Sequence, residues 1–161
     1  METSMTDSLY KLDRIFLATM LNSQPLVESC VRQAVQASYF QLPEHQVLYK
    51  MIMYTWDVDK VLLRDDAFIS LTKKAVSTDT ITLSKTETLY SEVKLIQPHS
   101  SPEILLEEFL HAYKRRKFSD SLRKSFELAG DGKVDEAMQA LTENIGNIGK
   151  ELNRATTSAG F

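Results

Sequence analysis

Apolar residues return every three or four positions along most of this chain, and the polar breaks between such runs are short. That period matches the turn of an α-helix. Leu9, Leu12, Ile15, Phe16, Thr19 and Met20 form the first stripe, which predicts a helix capped by Asp7 or Ser8 and running to about Asn22. Ser23-Gln24-Pro25 restarts the chain, since proline is tolerated in a first helical turn. Val27, Cys30, Val31 and Ala34 then make the inward stripe of a second helix that stops near Ser38. Pro43 opens a third, with Val47, Leu48, Met51, Ile52, Thr55 and Trp56 on one face. Asp65-Asp66 caps a fourth helix through Phe68, Leu71 and Val76, and Ser84 a fifth carrying Leu89, Val93 and Ile96, which Pro98 ends. Residues 79–83 alternate briefly and, with no partner run, are expected as an extended loop.

The last third is different. Ser101-Pro102-Glu103 starts a helix that nothing interrupts until Ala129-Gly130-Asp131-Gly132, a glycine cap and tight turn. Beyond it Val134, Met138, Leu141, Ile145, Ile148 and Leu152 follow the register of a coiled-coil seam. Two long helices joined by a short turn predict an antiparallel hairpin. The whole reads as all-α: a small bundle of about five short helices over residues 1–98, a helical hairpin over 101–154, and the start of a flexible linker over 155–161. The seam either zips the hairpin to itself or leaves an apolar side for a second copy or a partner to cover.

Composition narrows the function. With 161 residues, 43% hydrophobic and 25% charged, the chain is long enough for one sizeable core, and a formal net charge of -3 supplies no overall basic field for gripping phosphates. The single cysteine, Cys30, reads as a buried apolar residue of a reducing, cytoplasmic compartment. No apolar run approaches a membrane span, and the first residues do not resemble a signal peptide.

The chemistry expected of an enzyme is not in the pattern. There is no G-x-x-x-x-G-K-[ST] loop to cradle a nucleotide, so ATP hydrolysis is not expected and no cofactor is implied. His45, His99 and His111 sit in separate segments without metal-ligand spacing. The carboxylate pairs Glu107-Glu108 and Asp65-Asp66 are adjacent, so on a helix they do not face one another. Lys114-Arg115-Arg116-Lys117 lies in mid-helix, where successive residues diverge by about a hundred degrees; solvation or salt bridges between subunits suit it better than DNA contact.

Several segments in order carry a family resemblance. Phe40-Gln41-Leu42-Pro43-Glu44-His45-Gln46-Val47-Leu48-Tyr49 resembles the start of the third helix in the N-terminal, or collar, domain of DnaB-type replicative DNA helicases. Residues 13–21 followed by Pro25-Leu26-Val27 are similar to that family's first helix and the turn into its second. Tyr113 with Arg115-Arg116 resembles its first hairpin arm, and Asp135-Glu136-Ala137-Met138 its second. The resemblance implies a non-catalytic domain that pairs through its hairpin, assembles as a dimer or as a hexamer built of three dimers, and presents a surface to primase or a helicase loader. DNA is engaged indirectly, through an ATPase carried elsewhere in the parent helicase. The polar tail reads as the beginning of the connecting linker, which makes the chain a fragment; a free-standing adaptor, or a primase-side module that binds a helicase, is the alternative. On this reading self-association falls to Phe109, Phe126, Val134, Met138, Leu141, Ile145 and Ile148, while His45, Gln46, Tyr113, Arg115 and Arg116 are candidates for docking or structural roles. Gly146 and Gly149, costly inside a helix, mark a close approach at that interface or a frayed end.

Overall fold

The computed structural model describes residues 10–75 and 77–159, with side chains through residue 150. Leu9, Val76 and the caps expected at Asp7 or Ser8 lie outside the described residues, as does the side chain of Leu152. The elements are α1 (Lys11–Met20), α2 (Gln24–Arg32), a 3-10 turn (Ala37–Tyr39), α3 (Pro43–Asp59), α4 (Asp65–Lys74), α5 (Thr80–Val93), α6 (Pro102–Gly130) and α7 (Val134–Ala159). The fold is all-α, and no strand occurs among the described residues. Residues 155–159, expected to begin a linker, continue α7 as helix.

The chain divides into two units, one of Met1–Val31 with Val35–Phe109, the other of Arg32–Ala34 with Leu110–Phe161. In the first, α3 is the central helix and packs against α1, α4, α5 and the 3-10 turn. Its Leu48 and Ile52 are fully buried, as are Phe16 and Leu17 of α1 and Val27 and Cys30 of α2. An aromatic cluster ties distant segments together. Phe109 stacks on Phe16 with ring centroids 4.2 Å apart and tilts against Phe40 at 4.8 Å, and Phe40 also meets Tyr49 at 5.1 Å. Such pairs add roughly 0.5–1.5 kcal/mol each beyond the area they bury. The first turns of α6 therefore belong to the bundle through Leu105, Leu106 and Phe109.

Polar side chains close the helix ends. Tyr49 donates to the carbonyl of Val35 at 2.6 Å, Arg64 to that of Leu21 at 2.6 Å, and Gln46 to that of Phe40 at 2.9 Å, so each takes up a carbonyl that no helix satisfies.

Two expectations are corrected here. α2 ends at Arg32 instead of reaching Ser38, because Ala34 adopts a left-handed φ of 53° and Val35 donates back to the carbonyl of Cys30. Val31 and Ala34 are exposed, and the core positions expected of them are taken by Leu26 and Val35. Residues 79–83 are not an extended loop. Asp79 caps α5, its carboxylate accepting from both the backbone N–H and the hydroxyl of Thr82 at 2.8 Å, so the helix starts four residues before Ser84.

Candidate self-association surface

α6 begins with Pro102 in its first turn and Ser101 before it, whose hydroxyl accepts from the N–H of Ile104. It ends in a Schellman motif: Lys133 N–H donates to the carbonyl of Leu128 at 2.9 Å, Gly132 N–H to that of Ala129 at 3.0 Å, and Gly132 takes a φ of +82°. α7 follows at once, with Asp135 and Glu136 in its first turn, where the helix dipole favours carboxylates.

Between the two helices the contacts use small side chains. Ser125 donates to the carbonyl of Ala137 at 2.8 Å, and Ala137 and Ser121 are both buried. Farther from the turn, His111, Lys114, Arg115 and Phe118 of α6 share one cleft of about 460 Å³ with Ile145, Ile148 and Gly149 of α7. These contacts run in opposite chain directions from Gly132, which is the antiparallel order of a hairpin.

The outer face is apolar and uncovered. Phe126 is 81% exposed and Met138 65%, and Phe118, Leu122, Val134 and Ile145 are each exposed as well. Leu141 and Ile148 are half-buried. Of the residues expected for self-association, Phe126, Val134, Met138 and Ile145 thus lie on one unit with apolar surface to spare. Phe109 does not join them. It is 1% exposed and sits in the aromatic cluster of the bundle, so it is a core residue. Phe118 and Leu122 complete the stripe; neither was among the residues expected for self-association, although Phe118, Leu122 and Phe126 repeat at four-residue steps.

The basic run divides as its helical positions require. Lys114 and Arg115 line the cleft, while Arg116 and Lys117 stand 5.6 and 5.7 Å from the ring of the buried Tyr113. Gly146 and Gly149 make no close approach within the chain, since a Cβ at either would meet nothing within 4 Å.

His45 and Gln46 lie in the bundle. Gln46 is committed to the Phe40 carbonyl. His45 is 2% exposed, with Nδ1 3.9 Å from Oδ2 of the buried Asp13, too far for a direct hydrogen bond, and Tyr10 meets its ring edge-on. It borders a cleft of about 310 Å³ whose wall carries the Arg14 to Glu92 ion pair. Cys30 is fully buried, and burial pushes its thiol up to about 12 against the lowering effect of Tyr49, which leaves it protonated and inert at neutral pH. No group of side chains among the described residues is arranged to hold a metal ion, and none of their helices is long and apolar enough to cross a membrane.

No family model, curated protein or solved structure matches this chain.

Proposed function

We propose that this chain is a non-catalytic assembly and docking domain of the kind that forms the N-terminal collar of DnaB-type replicative helicases, and that it self-associates through the outer face of α6 and α7. The observation that carries the reading is the uncovered apolar stripe of Phe118, Leu122, Phe126, Val134, Met138 and Ile145. Exposed apolar surface of that extent, set on two long helices, is stabilised by association. The order of the segments supports the family: a short-helix bundle whose third helix starts within the Phe40 to Tyr49 segment, then a long helix with Tyr113, then a second arm with Asp135 to Met138. On this reading pairs of hairpins build a cytoplasmic collar ring that offers a surface to primase or a loader, and the ATP-driven motor is carried by another part of the parent protein.

Absolute molar mass by light scattering over a concentration series tests it, on the wild-type chain and on Ile145→Asp. A dimer or hexamer that falls to monomer in the variant, with unchanged helical circular dichroism, is the expected result. A wild-type chain that stays monomeric at high concentration overturns it in favour of a single-copy adaptor.

A further inference from the structure

The cleft of about 460 Å³ between α6 and α7 is formed by one copy alone, since all of its lining residues belong to one unit. α6 supplies His111, Lys114, Arg115 and Phe118, which share one helical face at three- and four-residue steps, and α7 supplies Ile145, Ile148 and Gly149 in the same spacing. The antiparallel order that sets Ser125 against Ala137 places Phe118 and Ile145 toward the turn, and Lys114, Arg115 and Gly149 away from it. The cleft therefore has an apolar end and a cationic end. At the cationic end the space is open, because a Cβ on Gly149 would meet nothing within 4 Å.

The charge around it is one-sided. Residues 109–119 of α6 and 144–150 of α7 hold Lys114, Arg115, Arg116, Lys117 and Lys150 and no carboxylate. Lys114 and Arg115 are exposed at the cleft and form no ion pair among the described residues. Arg116 and Lys117 stand apart from them, against the ring of Tyr113. Two cations beside an apolar floor match one anionic group carried on an apolar body, and the volume falls within the range of about 300–1,000 Å³ usual for small-molecule sites. We infer that the cleft binds an amphipathic anion, a carboxylate on an aliphatic chain, with the carboxylate at Lys114 and Arg115 and the chain running over Ile148 toward Phe118 and Ile145. Phe118 and Ile145 also belong to the stripe on which self-association is proposed, but this site is complete within one copy and does not rest on that reading.

Isothermal titration calorimetry with octanoate, kept below the concentration at which it forms micelles, tests this on the full chain and on Met138→Asp. Met138 is exposed and lies outside the cleft, so that variant keeps any association of copies from hiding the site. Saturable binding by either chain is expected, with a dissociation constant about tenfold or more higher once Lys114→Glu and Arg115→Glu are introduced together. Octan-1-ol, which keeps the chain and lacks the charge, should bind weaker than octanoate by about the same factor. Gly149→Leu favours the helix and fills the floor, so it should abolish binding while the helical circular dichroism is kept. No saturable binding by either the wild type or Met138→Asp overturns the proposal, and so does octan-1-ol binding as tightly as octanoate, or unchanged binding in the double charge reversal or in Gly149→Leu. Capture of the chain by phosphatidylglycerol vesicles without binding of free octanoate overturns it in favour of a membrane surface. Light scattering on the same samples reads self-association separately, so the failure of one reading is distinguishable from the failure of the other.

Discussion

Cys30 and Tyr49 set an alkaline limit on the bundle. The buried thiol is pushed from its ordinary 9.0 to about 12, chiefly by burial, and the Tyr49 hydroxyl is pushed up too, by burial first and then by its closeness to Cys30. Both are raised, so the native state keeps protons that the unfolded chain releases. Their contribution is therefore complete below the unfolded values and is lost as pH climbs past 9.0 for the thiol and then 10.0 for the phenol. Each group steepens the fall by at most about 1.4 kcal/mol per pH unit. Urea midpoints measured from about pH 8 to about pH 11 should decline from near pH 9 in the wild type, and from near pH 10 in Cys30→Ala, where only tyrosine ionisation remains. A midpoint that is flat through this range would remove the buried thiol from the account. The position of Cys30 was legible from its place on an apolar stripe. The end of α2 at Arg32 was not, because the reversal at Ala34 occurs at a non-glycine residue that carries no left-handed signal.

The α6 to α7 connection shows how much one helix end depends on a single backbone angle. Gly132 sits at φ +82°, where a side chain is strained, whereas Gly130 lies in the last helical turn with open space around it. Gly132→Ala should cost roughly 1–2 kcal/mol, and Gly130→Ala should gain up to about 1 kcal/mol through helix propensity. Equal and opposite shifts are not required; opposite signs in urea unfolding are, and two changes of the same sign would contradict the Schellman assignment. This turn was legible in advance because glycine at a helix end has one dominant use. The start of α5 was not. Thr80, Ile81 and Thr82 alternate like a strand, and only the Asp79 carboxylate bonding the N–H of Thr82 turns the segment into a first helical turn. Local capping wins there over β-branched preference, since a satisfied N–H outweighs a propensity difference of a few tenths of a kcal/mol.

At the scale of the molecule, the sequence pattern separates bundle from hairpin but not which apolar residues serve which. Phe109 and Phe126 lie on the same long helix and looked equivalent as association residues. Phe109 is enclosed by Phe16 and Phe40, while Phe126 touches almost nothing. Periodicity reports that a side chain is on an apolar stripe; only the path of the chain decides what covers it. The two residues therefore separate folding from assembly. Phe109→Ala should lower the unfolding free energy by about 3–5 kcal/mol at any protein concentration, as expected for an aromatic removed from a packed core. Phe126→Ala should leave the stability of dilute, monomeric protein within about 0.5 kcal/mol of wild type, because an exposed side chain has little to lose. Association of copies, as proposed, would make the wild-type Tm rise with concentration by mass action, and Phe126→Ala should flatten that dependence. Thermal unfolding across a hundredfold dilution series distinguishes the two effects. A Phe126→Ala chain that keeps the wild-type concentration dependence would mean that the outer hairpin face is not where copies meet.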